Sequence, residues 1–392
     1  MSHPRDEAKL DRVRRLMAEQ DLDALVVRSP DDVLYLSDYW CMKGYDVLVF
    51  PREGEMTLCV MEPQVAEAEA SWAGNLRPFR FYDEADPRPP LFRGTDAALE
   101  VLRERGLTGR VGLEISLGSA AADRMVGEPT VAGAPYFAAF EGVVAEQVDC
   151  VPLLSTARAI KTPQEIERMR LANELAALAM AEVREKARPG MKESEIGALF
   201  EGFVHATGTG FRGEVDLARA FTLVWSGPGI RTFTPTADRP VVADEPTLLE
   251  IWVCADGYWT DLTKNFCPAE LAPRYDELLD QLLVVFNAAA EHCKPGAEMA
   301  ALDKLIRDGI AEAGYPGQPS HPVAHGVGAR AHEPPWPHQA SGGIIEEGMV
   351  LAIEPGIYWP EGGGLRLEDN FLITETGAEK LSPFPDGIVV AA

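Results

Sequence analysis

Three of the seven histidines fall in one short stretch: His321, then His325 and His332 inside AHGVGARAHEPP (324–335). Imidazoles set among glycines and prolines belong on a loop whose backbone can pass close to a ligand. Four carboxylates stand in equally unusual settings: Glu250 in LLEIWV, Asp261 in WTDLTKNF, Glu354 in LAIEPGIY and Glu368 in GLRLEDNF. An acid inside an apolar strand is costly unless it is paired or bound to a cation. Four carboxylates and one imidazole suit one or two divalent ions of hard-to-borderline character: Mn, Zn, Co or Fe. Two such ions close together activate water and polarise a carbonyl, so the set points to hydrolysis.

Each residue also has a plainer reading. A lone strand glutamate is usually edge-exposed or salt-bridged, Asp256 fits the turn before Gly257, and His205 and His338 read as solvated or locally satisfied side chains. The five candidate ligands with the His-rich loop between them are harder to explain that way. The turn Ala255-Asp256-Gly257 is expected to fold Glu250 and Asp261 side by side on adjacent strands.

The elements that must position these groups are legible. Residues 8–22 carry an amphipathic helical pattern, and LDALVV (22–27), YDVLVF (45–50) and VGLEI (111–115) read as short buried strands of an α/β domain over residues 1–155. Thr162-Pro163-Gln164-Glu165 has capping-box spacing with proline at the first helical position, and opens a helix that stops at Arg188-Pro189-Gly190. The same stop recurs at Lys294-Pro295-Gly296, each time followed by a second helix (ESEIGALFEGFVHATG, then MAALDKLIRDGIAEAGY), which points to a duplicated αα unit in residues 156–392. The strands LLEIWV, WTDLTKNF, MVLAIEPGIYW and GLRLEDNFLIT fall between and after these helices.

A chain of 392 residues is long for one core, which agrees with two domains. Its net charge of -26 argues against nucleic acid or an anionic membrane as partner. MSHPRDEAKLDRVRRLMAEQ has no apolar run of signal-peptide or membrane-span length, and six scattered cysteines without a CxxC pair read as reduced thiols, so a cytoplasmic location is expected.

The ordered set Glu250, Asp261, His325, Glu354, Glu368, with HGVG, HEPP, IEPGIY and GLRLED, resembles the creatinase, aminopeptidase P and prolidase family. VRRLMAEQDLDALVVRSPDDVLYLSDYW is similar to that family's amino-terminal domain, and ARAIKTPQEIERMR to the start of its catalytic domain. The resemblance implies a creatinase-like α/β domain followed by a pseudo-symmetric α+β "pita-bread" catalytic domain, a homodimer, and the five residues as metal ligands. It also implies that Glu354 doubles as general base toward the attacking water. His332 then donates to the developing charge, His321 is a substrate-site histidine, and Arg366 orients the carboxylates.

Two features depart from the family's pattern. The first ligand is normally aspartate; Glu250 moves the carboxylate by about 1.5 Å, one carbon–carbon bond, and Trp252 replaces a small residue two positions later. The peptidases carry a histidine in the loop before the first ligand, whereas SGPGIRTFTPTADRP has none. The leading expectation is a metal-dependent hydrolase of a dipeptide or short peptide, of the Xaa-Pro dipeptidase or aminopeptidase kind. A hydrolase or lyase of a small non-peptide solute, like creatinase, ectoine hydrolase or a dimethylsulfoniopropionate lyase, is the alternative, and a non-catalytic binding protein the third.

Overall fold

The Asp6 carboxylate accepts from the Lys9 N–H and opens the helix Glu7–Glu19, which buries Leu10, Val13 and Met17. The computed structural model describes residues 3–41, 44–117, 132–230, 234–269, 271–340, 342–359 and 363–390. The chain divides into two compact units, Met1–Arg158 and Ala159–Ala392.

In the first unit Ala24–Val27 pairs antiparallel with Val47–Pro51 and parallel with Arg110–Leu113, at the centre of a six-stranded mixed sheet. Ala24–Val27 and Val47–Pro51 are buried throughout, as continuous apolar runs require when both faces of a sheet are covered.

In the second unit Thr162 and Glu165 form the expected capping box, the Thr162 N–H donating to Glu165 Oε2 at 2.9 Å, and the helix Pro163–Lys186 follows. Gly190 and Gly296 both take positive φ (84° and 87°), which explains why each helix stop ends in glycine. Helices Glu193–Thr207 and Met299–Glu312 follow these turns, so helix, turn, helix and sheet occur twice in the same order.

The first helix pair packs on a sheet that includes Ala218–Ser226, Thr247–Ala255, Leu262–Cys267 and Ile388–Val390. The second pair, Arg274–His292 and Met299–Glu312, packs on Ala324–Gly326, Val350–Ile353, Asp369–Thr374 and Gly377–Lys380. Leu249, Ile251 and Val253 alternate toward the first helix pair, so Glu250 and Trp252 point to the other face of their sheet. Among the described residues no helix is long and apolar enough to cross a membrane.

Candidate metal centre

Three of the four candidate acids do not lie inside strands, contrary to the sequence expectation. Asp261 falls between Tyr258–Trp259 and Leu262–Cys267, Glu354 between Val350–Ile353 and Gly356–Tyr358, and Glu368 between Gly364–Arg366 and Asp369–Thr374. Each sits where the chain leaves one strand for another, and its backbone finds partners outside the regular ladder. The Asp261 N–H donates to Asn370 Oδ1 (3.1 Å), Asn370 Nδ2 returns a bond to the Asp261 carbonyl (2.7 Å), and the Glu354 N–H donates to the Val323 carbonyl (2.9 Å). Only Glu250 stays within a strand.

The expected side-by-side pairing of Glu250 and Asp261 is also corrected: Glu250 pairs with Thr263, and Asp261 is its diagonal neighbour. The turn decides this. Ala255 pairs with Tyr258 across only Asp256 and Gly257, which have φ of 46° and 83°. A two-residue turn of this primed kind sets a register two residues away from a Glu250–Asp261 pairing.

His325 is deeply buried, and its Nδ1–H donates to the Gly326 carbonyl (3.0 Å), so the Nε2 lone pair faces Asp261 (3.5 Å) and Glu354 (3.6 Å). Two groups result, Asp261–His325–His332 and His325–Glu354–Glu368, each offering three ligand atoms within 4.8 Å of one another. His332 Nε2 stands 3.2 Å from Asp261 Oδ2. Glu250 completes neither group; its carboxylate pairs with Arg366 Nη2 at 3.0 Å, without hydrogen-bond alignment. Arg366 Nε donates to Thr263 Oγ1 (2.7 Å), which donates to Glu368 Oε2 (2.5 Å), so Arg366 and Thr263 link Glu250 to Glu368. His321 turns its Nδ1 toward the Pro322 carbonyl (2.6 Å) and Glu354 Oε2 (3.3 Å), and its Nε2 toward the Tyr358 hydroxyl (3.1 Å).

Neither carboxylate oxygen of Asp261 accepts a hydrogen bond, although the side chain is about as buried as any in the chain. Burial, then Glu368, Glu250 and Glu354 around it, raise its pKa well above the carboxylate range. Burial followed by Glu368 does the same to Glu354, and burial pushes Glu368 up to about 7 against the opposing Arg366. Burial, then His332, push His325 down to about 3, so its imidazole is neutral. Crowded carboxylates, Asp261 among them without a hydrogen-bond donor, beside a neutral imidazole with its lone pair turned inward, fit a divalent cation. Such an ion would polarise a carbonyl and acidify water.

Comparison with known proteins decides the family. Residues 167–375, more than half of the chain, match Metallopeptidase family M24, and residues 9–127 match the Creatinase/Prolidase N-terminal domain. The chain belongs to metallopeptidase family M24. It is 26% identical over 377 residues to an Xaa-Pro dipeptidase of Pyrococcus furiosus, covering 95% of this chain and 97% of that one. The solved prolidase from Pyrococcus furiosus superposes with a TM-score of 0.75 at 25% identity, over 95% of this chain and 99% of that one. Aminopeptidase P from E. coli shares the fold, with a TM-score of 0.71 at 21% identity over 97% and 96% of the two chains. The second unit therefore has the pita-bread fold, and the protein is a metallohydrolase.

In this M24 peptidase Trp252 forms the aromatic wall that its size implies. Its ring stacks on Phe221 (centroids 5.5 Å apart) and lies 6.1 Å from His332, which in turn lies parallel to Trp336 at 6.5 Å. The loop without a histidine is only partly placed, because Arg231, Thr232 and Phe233 lie outside the described residues. His205 and His338 are exposed. Sequence reasoning missed Thr263, Asn370, Tyr358 and Trp336. The available signal was a polar run, Thr263-Lys264-Asn265, inside a wholly buried strand, where Lys264 pairs with Asp369 at 2.6 Å.

Proposed function

We propose that this metallopeptidase is an Xaa-Pro dipeptidase, with Asp261, His325, Glu354 and Glu368 holding one or two ions of Mn, Zn, Co or Fe. The observation that carries the reading is Asp261: a buried carboxylate with no hydrogen bond to either oxygen, inside a ring of Glu354, Glu368, His325 and His332. Glu354 takes the proton of the attacking water, steadied by His321 at 3.3 Å. His332, more than a third exposed at the mouth of this ring, donates to the charge that develops on the scissile carbonyl. Glu250 holds Arg366 in place, and Arg366 with Thr263 orients Glu368. A small peptide is the substrate. A homodimer in a reducing cytoplasm belongs to the same reading, supported for the compartment by six buried cysteines that no disulfide joins.

The test is turnover of an Xaa-Pro dipeptide panel, with non-proline dipeptides as controls, by metal-reconstituted and metal-stripped protein. Cleavage of Xaa-Pro substrates by the reconstituted form alone is expected. One observation favours the second reading, a hydrolase or lyase of a small non-peptide solute: Trp252 shares the sheet face of Glu250 and brings a bulky ring within 6.1 Å of His332. Metal retention without cleavage of any dipeptide would establish that alternative.

A further inference from the structure

Lys161 and Glu333 form an ion pair that no step above uses. Lys161 Nζ lies 2.9 Å from Glu333 Oε1, and the two side chains are 1% and 2% exposed. A pair so far from water is a poor source of stability, because apolar side chains of similar volume serve as well or better. Its value lies in fixing geometry, and both ends are tied to the metal centre. The Lys161 N–H donates to the Gly348 carbonyl (2.8 Å), just ahead of the Val350–Ile353 strand that leads into Glu354. The Glu333 N–H donates to the Gly326 carbonyl (3.0 Å), and the Gly326 N–H to the Pro335 carbonyl (2.8 Å).

His332, the residue before Glu333, has a side chain 39% exposed, so packing around its own ring holds it only in part. The ring stands against His325 (centroids 4.6 Å apart), Trp252, Trp336 and Asp261, and the anchoring of the next residue adds a backbone constraint to those contacts. The glycines of HGVG make room for that anchor. A Cβ on Gly328 would lie 2.5 Å from Glu333 Oε1 and 2.9 Å from Lys161 Cε, and one on Gly326 would lie 2.7 Å from the Glu333 carbonyl oxygen.

We propose that Lys161 is a positioning residue: through Glu333 it sets where the His332 ring stands against Asp261, and so how His332 meets the substrate. This rests on the role given to His332 in the proposed function. The experiment compares Lys161→Met, Glu333→Gln and the double variant as full-length, metal-reconstituted protein, with Val285→Ala, in the core of the second helix pair, as a destabilised control.

A ring displaced by about 1 Å is expected to lose on the order of 10²-fold in kcat, with KM and metal content unchanged. The double variant should be no worse than the poorer single one, and Val285→Ala should keep its kcat. Glu333→Gln, the mildest change, carries the test if Lys161→Met does not fold. The ring ¹⁵N and ¹H signals of His332 give a readout that needs no turnover, and they should shift in Lys161→Met but not in Val285→Ala. Unmoved His332 signals, or losses that add in the double variant, would overturn the proposal. A wild-type protein that cleaves no dipeptide would instead count against the peptidase reading, and the His332 signals would still decide the role of Lys161.

Discussion

In the first unit Glu114 is fully buried, yet its carboxylate accepts the N–H groups of Arg28 (2.8 Å) and Ser29 (3.1 Å), and Asp32 beside it is bridged by Arg158 at 2.9 Å. In the second unit Asp261 is as deeply buried, and neither oxygen accepts a hydrogen bond. Burial raises the pKa of both, Glu114 to about 8 with Asp32 adding to it. A buried acid is therefore not in itself a site. Glu114 is satisfied by the backbone at the start of the helix Pro30–Ser37, whereas no donor meets the Asp261 oxygens in hydrogen-bond geometry and His332 Nε2 stands 3.2 Å from one of them.

The contrast is broken most directly by removing a ligand. His325→Ala and Asp261→Asn should abolish both metal retention and activity, read by elemental analysis and turnover, and full activity in stripped protein under excess chelator would end the metal mechanism. His332→Ala should lower kcat by about 10²-fold or more, as loss of one oxyanion donor does, with metal content near wild type. Loss of the metal with His332 would make it a ligand, as its place beside Asp261 and His325 allows.

Folded-state pKa values raised above the unfolded ones mean that Asp261, Glu354 and Glu368 favour the metal-free fold below about pH 4.5, and lose that contribution as pH rises through the folded value, about 7 for Glu368. His321 and His325, pushed down to about 3, are neutral between pH 5 and 8 and release nothing there. Metal uptake should therefore expel carboxylate protons, and apparent affinity should rise up to about tenfold per pH unit per proton between pH 5 and 7. Calorimetry in buffers of different ionisation enthalpy measures this, and a pH-independent affinity would contradict it.

Glu250→Gln should keep the metal and lose roughly tenfold in turnover, since it removes the charge that holds Arg366 at 3.0 Å. Loss of an ion would make Glu250 a ligand instead. The smallest effect is expected for Glu114→Gln, where the amide oxygen still accepts the same N–H groups. Its stability should stay within about 1 kcal/mol of wild type, with metal content untouched.

Much of the fold was legible because its signals are local. Helix stops at Arg188-Pro189-Gly190 and Lys294-Pro295-Gly296 need only a glycine able to take positive φ, and the Thr162–Glu165 capping box spans one turn. The strands were legible as buried, but their breaks at Asp261, Glu354 and Glu368 were not. At Asp261 and Glu354 the backbone is held by Asn370 and by the Val323 carbonyl, which come from elsewhere in the chain.

The sequence by itself determined the family, the order of the acids and histidines, and the chemistry they share, because residue type and spacing settle which groups can bind a cation. Tertiary structure alone decided which of those groups meet. A two-residue turn shifts Glu250 from Asp261 to Thr263, Arg366 then occupies its carboxylate, and a buried Lys161–Glu333 pair holds the turn that carries His332. The register of Glu250 is set by the backbone angles of one short turn, whereas the long-range pairings arise from contacts across 100 or more residues, as between Lys161 and Glu333, 172 apart, and no local spacing encodes those.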